Sequence, residues 1–261
     1  MNAGEVAELK LIATLCCNIS KTINFASGQS LLINQIQLPI GNTLRTPNKF
    51  QPGINPALIS GFSDSELSAF CSINGIVKAG SHSKADVYIN GIGYSVKYSN
   101  ASPPSLINHT PRHGWEFVAK KKGVSIANLD ALIAQYWQKR IAGTISEDVP
   151  NTNPNSPFNS NIGILLPYLE YFIFEGTGSR LSKHPASEVI EYSDPCNFSS
   201  WKLLNKTQLV QNIWPRLIFS IREKGMPKNI KSLPQPKKNS VMLWARNYQG
   251  LLKGSLHVRI K

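Results

Sequence analysis

The sequence has no hydrophobic run that approaches the roughly 20 residues needed to cross a bilayer. Its N-terminus, MNAGEVAELKLIATLCC, lacks the cationic start and the small-residue cleavage site of a secretory signal. Hydrophobic residues make up 41% of the 261 residues, which is enough for a substantial core. We therefore expect a soluble cytoplasmic protein with no membrane partner.

Cysteine is scarce, and no pair has the C-x-x-C spacing of a zinc or redox motif. The four cysteines are Cys16, Cys17, Cys71 and Cys196. This arrangement favours neither a zinc finger nor a disulfide framework, so buried free thiols are expected.

Acidic residues are also few, with 15 against 28 basic ones, for a net charge of +13. The imbalance is concentrated in residues 200–261, which hold 13 basic residues and one acidic residue. Aromatic residues are interleaved with this basic block, so it can fold and bury apolar surface. A folded cationic surface of this kind predicts a polyanionic partner, most simply nucleic acid, although a basic surface that only maintains solubility gives the same composition.

Apolar spacing predicts two long helices, over about residues 1–25 and about 115–141, the second broken near Gly123. Ser63 followed by Glu66 matches the capping-box pattern and predicts a further helix start. In the second long helix, the residues expected to face inward are Phe117, Leu129, Leu132, Ile133, Tyr136 and Ile141.

Other segments predict strands or irregular structure. Residues 76–80 and the apolar stretch 162–176 read as strands, and the segment around Pro111 reads as a loop. Residues 146–161 form a polar connector, and a helix is expected near 205–222.

Together these elements predict an α/β (α+β) fold in which a mixed central β-sheet is flanked by helices. We expect a core over residues 1–175, with the motif region at 60–145. A basic recognition region should cover residues 176–261, unless the two parts form one domain.

The stretch KADVYINGIGYSVK, residues 84–97, carries the chemistry. Asn90-Gly91 between alternating segments predicts a two-residue hairpin loop, which sets Asp86 opposite Ser95. Lys84, Tyr88 and Lys97 then share a face with Asp86 and Ser95, while the opposite face is apolar: Ala85, Val87, Ile89, Ile92, Tyr94 and Val96.

An aspartate and a lysine on one face suit phosphodiester hydrolysis with a divalent ion. Asp86 would hold Mg²⁺ through a hard oxygen, and Lys97 would offset the growing negative charge. Ser95 would contribute a neutral oxygen. The alternative is a surface hairpin in which Asp86 and Lys97 form a cross-strand ion pair contributing about 0–1 kcal/mol.

An acid at the start of one strand and x-x-Lys on its hairpin partner resemble the PD-(D/E)XK nucleases, particularly type II restriction endonucleases. The resemblance covers about residues 60–175 and implies a restriction-endonuclease-like core. Ala85 stands where proline is usual, and Ser95 stands where Glu, Asp or Gln is usual.

The resemblance also implies where further carboxylates come from. In a subgroup with Ser-x-Lys, the helix downstream supplies the missing carboxylate, which here is Glu116. A first-turn glutamate favoured by the helix dipole is an equal alternative for Glu116. Glu66 matches the accessory acid that the superfamily often carries on its first helix, but a capping-box side chain cannot also reach a metal.

Several basic residues are candidates for DNA contact. Arginines suit base edges and lysines suit phosphates. GTGSR at 176–180 reads as a turn, and 254–261 as a closing strand with His257 and Arg259 on one face. The candidates are Lys84, Lys120, Lys121, Arg180, Arg216, Arg222, Lys237, Lys238, Arg246, His257 and Arg259.

The sequence therefore predicts a Mg²⁺-dependent, sequence-specific endonuclease for double-stranded DNA of the restriction type. Cutting both strands predicts a homodimer. A prokaryotic or phage origin is expected, with a cognate DNA methyltransferase encoded nearby rather than bound. The alternatives are a repair or recombination nuclease of the same fold and a non-catalytic basic DNA-binding protein.

Overall fold

The computed structural model describes residues 1–80, 82–100, 105–178 and 180–261, with the backbone alone at 206, 207, 210 and 211. The helices are α1 Ala3–Cys16, α2 Pro56–Ser60, α3 Asp64–Ile73, α4 Arg112–Lys122, α5 Ile126–Ile141, α6 Ile162–Glu170, α7 Lys206–Ile213 and α8 Gln235–Trp244. The strands are β1 Thr22–Asn24, β2 Ser30–Leu32, β3 Ile36–Ile40, β4 Thr43–Arg45, β5 Val87–Ile89, β6 Ile92–Tyr98, β7 Ser105–Pro111, β8 Val149–Pro150, β9 Gly176–Thr177, β10 Arg180–Leu181, β11 Glu188–Tyr192, β12 Trp201–Leu204, β13 Leu217–Arg222, β14 Arg246–Tyr248, β15 Leu251–Lys253 and β16 Ser255–Ile260. The mixed α+β class predicted from the sequence is confirmed.

The chain divides into two units, each built from two segments. The first unit combines Met1–Pro104 with Ser182–Gln208, and the second combines Ser105–Leu181 with Leu209–Lys261. The predicted boundary at 175/176 does not coincide with this division, because the chain passes between the units more than once.

The first unit contains a six-stranded sheet in the order β12-β11-β6-β5-β3-β4. The β11–β6 pair is parallel and the other pairs are antiparallel. Helix α1 packs against α2, α3 and β6. Its fully buried residues Leu11, Ile12 and Leu15 join Val87, Tyr94 and other strand residues in one hydrophobic core.

The second unit contains a four-stranded antiparallel sheet, β7-β16-β13-β8, and the helices α4, α5, α6 and α8. Its core is aromatic: the ring of Trp115 packs on those of Phe172 and Trp244. Arg112, 5% exposed, donates to both carboxylate oxygens of Asp130 at 2.8 Å. Trp244 also donates to Asp130, so the carboxylate links α4, α5 and α8.

Several local predictions were right. Helix α3 begins with the Ser63–Glu66 capping box, and the second long helix breaks at Gly123, whose φ is +66°. Leu129, Leu132, Ile133 and Tyr136 of that helix are buried. The segment 254–261 forms strand β16.

Other local predictions were wrong. Helix α1 ends at Cys16 and is followed by β1, and residues 76–80 form no strand. The segment before Pro111 is strand β7, and Pro111 itself occupies the N-cap of α4, where a missing N–H costs little. Pro103 and Pro104, which were also expected to interrupt regular structure, lie outside the described residues.

The apolar stretch 162–176 is helix α6 followed by a turn of π-helix, not a pair of strands. Its length and composition cannot distinguish a buried helix from a buried strand, and Pro167 inside the pattern argued against a helix. In the predicted helix near 205–222, α7 ends at Ile213 and strand β13 follows. Phe117 and Ile141, expected to face inward, are 38% and 66% exposed.

Gly93 on β6 offers a test of the packing around the hairpin. A Cβ at this position would lie 2.4 Å from the main-chain oxygen of Pro185 and 3.0 Å from the Cβ of Ala85. Gly93→Ala should therefore lower the free energy of unfolding by about 1–3 kcal/mol, measured by chemical denaturation.

Gly163 in α6 is the matched control, because a Cβ there would meet no atom within 4 Å. Gly163→Ala should leave the stability unchanged or raise it by about 0.5–1 kcal/mol through helix propensity. Equal effects of the two substitutions would contradict the packing described for the hairpin.

Candidate functional site

The hairpin β5–β6 forms with the predicted register. Val87 pairs with Tyr94, and Ile89 pairs with Ile92. Asn90 and Gly91 have φ values of +52° and +81°, as a type I′ loop requires. The apolar face is buried at every predicted position except Ile92, which lies beside the loop and is 42% exposed.

Asp86 lies where β5 begins, and its carboxylate is held by the partner strand. Its Oδ2 accepts a hydrogen bond from the Val96 N–H at 2.7 Å and one from the Ser95 hydroxyl at 3.3 Å. The backbone N–H of Asp86 donates to the Tyr94 oxygen at 2.8 Å. Ser95, which is 4% exposed, therefore orients the aspartate.

Two lysines adjoin this carboxylate. Lys97 follows Ser95 by two residues on β6 and pairs in register with Glu191 of β11. Burial, and then the charge of Lys97, lower the pKa of Lys84 to about 8, whereas Asp86 opposes the shift. The backbone N–H of Lys84 is fixed by the oxygen of His184 and the hydroxyl of Ser182.

Glu8 of α1 is the residue that the sequence interpretation missed. Burial, and then the Asp86 carboxylate, raise the pKa of Glu8 to about 8, while Lys78 and Lys97 act in the opposite direction. Its Oε1 atom is enclosed and accepts no hydrogen bond from any residue that the structure describes. Helix α1 therefore brings a second carboxylate to the electrostatic environment of Asp86 and Lys97.

A signal for Glu8 was present in the sequence. Glu8 stands three, four and seven residues before Leu11, Ile12 and Leu15, all fully buried, so it occupies the apolar stripe of α1. Glutamate is almost never buried unless it has a partner or a function. A charged residue at a core position of a helix was therefore informative.

Tyr192 of β11 borders the same group. Burial raises its pKa, and the Glu8 and Asp86 carboxylates add to the shift, so the phenol stays protonated. The site therefore combines two carboxylates with two amines and a phenol, all within the first unit.

The group partly fits a divalent cation. Two carboxylates are hard oxygen ligands of the kind that Mg²⁺ prefers, and the unpartnered Oε1 of Glu8 is a buried acceptor without a donor. Over the described ranges, however, no three His, Cys, Asp or Glu side chains are arranged to hold a metal ion. Further ligands would have to come from water or from substrate oxygens, which Mg²⁺ commonly keeps.

The structure uses Glu66 in the capping box. The Glu66 carboxylate accepts from the backbone N–H of Ser63 at 2.8 Å and from its hydroxyl at 2.7 Å, and these bonds lower the pKa of Glu66. A side chain engaged in this way is not directed to a metal. The structure therefore shows Glu66 in the capping-box role.

Glu116 belongs to the second unit, on α4. Its Oε2 accepts from the Ser240 hydroxyl at 2.6 Å and lies 3.2 Å from Nη1 of Arg112. These contacts give Glu116 a role in holding α4 and α8 together. Its predicted role as the relocated carboxylate stays a prediction.

The arginines predicted to read bases have partners inside the second unit. Arg222 pairs with Glu147 and Asp148, and Arg259 pairs with Asp148. Arg246 donates to the main-chain oxygen of Ala245. The connector 146–161, which the sequence predicts to be polar, supplies the two acids Glu147 and Asp148.

The remaining candidates divide by exposure. Arg216 donates to the main-chain oxygen of Lys261. His257 is 7% exposed, stacks on His109 and donates from Nδ1 toward the oxygen of Ile107 at 2.9 Å. Lys120, Lys121, Arg180 and Lys237 are exposed, and Lys238 is half-buried.

Comparisons with known proteins identify no relative. No protein-family model matches the chain, and neither the curated proteins nor the solved structures include a match. Among the described residues, no helix is both long enough and apolar enough to cross a membrane.

The pKa of Glu8 generates a test of the site. The folded-state pKa, about 8, is above the ordinary value of 4.5, so the folded protein retains a proton that the unfolded chain releases. The contribution of Glu8 to stability is thus fully present below pH 4.5, is lost as the pH rises through about 8, and changes no further once both states are deprotonated. Glu8→Gln should remove this decline, so its melting temperature should increasingly exceed that of the wild type between pH 4.5 and 9.

Glu66→Gln is the matched control, because the pKa of the exposed Glu66 is shifted in the opposite direction. The melting temperature of Glu66→Gln should not increase relative to that of the wild type as the pH rises. A Glu8→Gln protein whose melting temperature follows that of the wild type at every pH would show that Glu8 is not a buried acid.

Proposed function

We propose that this chain is a Mg²⁺-dependent endonuclease that hydrolyses phosphodiester bonds in double-stranded DNA. The observation that supports the proposal is the association of Glu8 and Asp86 with Lys97 and Lys84 around one hairpin. Once a cation displaces the proton of Glu8, the two carboxylates supply negative charge that balances the ion, and the adjacent amines attract a phosphate.

Glu8 and Asp86 are the residues that would hold the ion. When bound, Mg²⁺ would polarise the scissile phosphate and activate a water for attack. Ser95 and the Val96 N–H keep the Asp86 carboxylate in one orientation, so no reorganisation of this group is needed. The Lys97 ammonium would stabilise the charge that develops on the phosphate oxygens.

Glu8 also resolves the departure from the family pattern at Ser95. This chain lacks the carboxylate that the family pattern places at that position, and we propose that Glu8 on the first helix supplies the second acid. This assignment requires no contribution from Glu116 or Glu66.

The restriction type is the form of nuclease that we propose. Residues 200–261 hold 13 basic residues and one acidic residue, and such a cationic region provides surface for recognising DNA. A homodimer would cut both strands. A structure-specific repair nuclease and a non-catalytic DNA-binding protein are the outcomes against which the proposal is tested.

Plasmid cleavage with and without Mg²⁺ tests the proposal. We expect discrete fragments that require Mg²⁺ from the wild type. Asp86→Ala and Lys97→Ala should each reduce cleavage about 1,000-fold, because each removes several kcal/mol of transition-state stabilisation. Duplex binding in EDTA should persist in both variants.

Ser95→Ala and Glu66→Gln are controls that should have a small effect on cleavage and no effect, respectively. Ser95→Ala removes one hydrogen bond to Asp86 and should slow cleavage about tenfold, corresponding to about 1 kcal/mol. Glu66→Gln should cleave like the wild type. Cleavage of branched substrates alone would favour the repair nuclease, and binding without any cleavage would favour the non-catalytic protein.

Glu8 and Glu116 can be separated by matched substitutions to glutamine. Glu8→Gln should abolish Mg²⁺-dependent cleavage while leaving the protein folded. Glu116→Gln should retain cleavage, with a small loss of stability from the weakened contacts to Arg112 and Ser240. Loss of cleavage in Glu116→Gln, with cleavage retained in Glu8→Gln, would assign the second carboxylate to Glu116.

A further inference from the structure

The cationic block 200–261 contains two chemically different sets of side chains. Its arginines at 222, 246 and 259 are paired with acids or main-chain oxygens of the second unit. Among the described residues, the lysines of the loop that follows β13 have no ion-pair partner. The excess charge available to a ligand there is therefore carried by lysine.

This loop, Glu223–Lys231, is here called the lysine loop. It presents Lys224, Lys228 and Lys231, all exposed, and one acid, Glu223. Together with Leu252, these residues line an open groove of about 700 Å³. Three lysines against one carboxylate leave a local charge of +2 along the groove.

The lysine loop has a defined backbone. Gly225 has φ +89°, and a Cβ there would lie 2.3 Å from the main-chain oxygen of His109. The Met226 N–H closes a turn by donating to the Glu223 oxygen at 2.9 Å. Further along, Ser232 donates to the Asn229 oxygen at 3.0 Å. The three lysines are thus displayed from a loop seated against its own unit.

We propose that the lysine loop binds the backbone phosphates of a DNA duplex without reading its sequence. A lysine ammonium is a flexible point charge that suits phosphate oxygens, whereas the bidentate contact with guanine is made best by the planar arginine fork. The arginines of the block are engaged elsewhere, so this groove supplies flexible point charges and lacks the planar fork that best recognises guanine. The inference rests on the proposed function for the identity of its partner.

The test is the salt dependence of duplex binding in EDTA, where no cleavage is needed. The variant Lys224→Gln/Lys228→Gln/Lys231→Gln is compared with the wild type by fluorescence anisotropy between 50 and 200 mM salt, two concentrations between which phosphate contacts weaken by orders of magnitude. If each lysine meets one phosphate, the slope of log K against log salt should become shallower by about 2.7. The triple variant should bind three duplexes of different base composition more weakly than the wild type does, by the same factor for each duplex.

Two further variants control for charge and folding. Lys21→Gln/Lys49→Gln/Lys202→Gln removes the same charge from exposed positions of the first unit and should leave the slope unchanged. Replacing the three loop lysines by arginine should retain the wild-type slope. A slope unaffected in the loop variant, or reduced equally in the Lys21, Lys49 and Lys202 variant, would overturn the inference.

The result is independent of catalysis. A wild-type protein that binds duplexes through the lysine loop but never cuts them would contradict the proposed function and support this inference. If the wild type cuts DNA but the loop variant binds duplexes with the wild-type slope, the proposed function would be supported and this inference would be contradicted. Wild-type binding to vesicles of anionic lipid, with none to duplex DNA, would overturn the choice of partner.

Discussion

The burial of the Glu8 carboxylate beside Asp86 is the interaction on which the account depends. Burial first, and then repulsion from the Asp86 carboxylate, raise the pKa of Glu8 to about 8. Such an arrangement destabilises a folded protein unless a cation or a proton compensates for it. The charges of Lys78 and Lys97 offset only part of this effect, since the net result for Glu8 is still a raised pKa. Functional sites are where unfavourable electrostatics of this kind tend to occur.

The surrounding structure holds this arrangement in place. Helix α1 is anchored by its fully buried residues Leu11, Ile12 and Leu15, which fix the position from which the Glu8 side chain extends. The hairpin fixes Asp86 through the Val96 N–H and the Ser95 hydroxyl. In the second unit, several arginines are matched by acids: Arg112 with Asp130, and Arg222 and Arg259 with the acids of the connector. Among the described residues, no such ion pair involves Glu8, Asp86 or the lysines of the lysine loop.

The sequence predicted what depends on local spacing. The Asn90-Gly91 loop determined the register of the hairpin and so the position of Asp86, and the capping box at Ser63 predicted the start of α3. The sequence did not predict contacts between distant segments. Glu8 and Asp86 are 78 positions apart in the sequence, and the pairing of Arg222 with Glu147 depends on how the strands of the second unit assemble. Composition also misassigned α6, because an apolar run without periodicity suits a buried strand as well as a buried helix.

The most direct measurement of the central claim is the number of protons released when Mg²⁺ binds. At pH 7 a Glu8 carboxyl with a pKa of about 8 is mostly protonated, so a cation that binds Glu8 and Asp86 together must displace its proton. Calorimetric titrations in buffers of different ionisation enthalpy should show release of close to one proton per ion at pH 7. This release should disappear above pH 9 and in Glu8→Gln. Binding of Mg²⁺ without proton release at pH 7, or with equal affinity in the wild type and Glu8→Gln, would contradict the account.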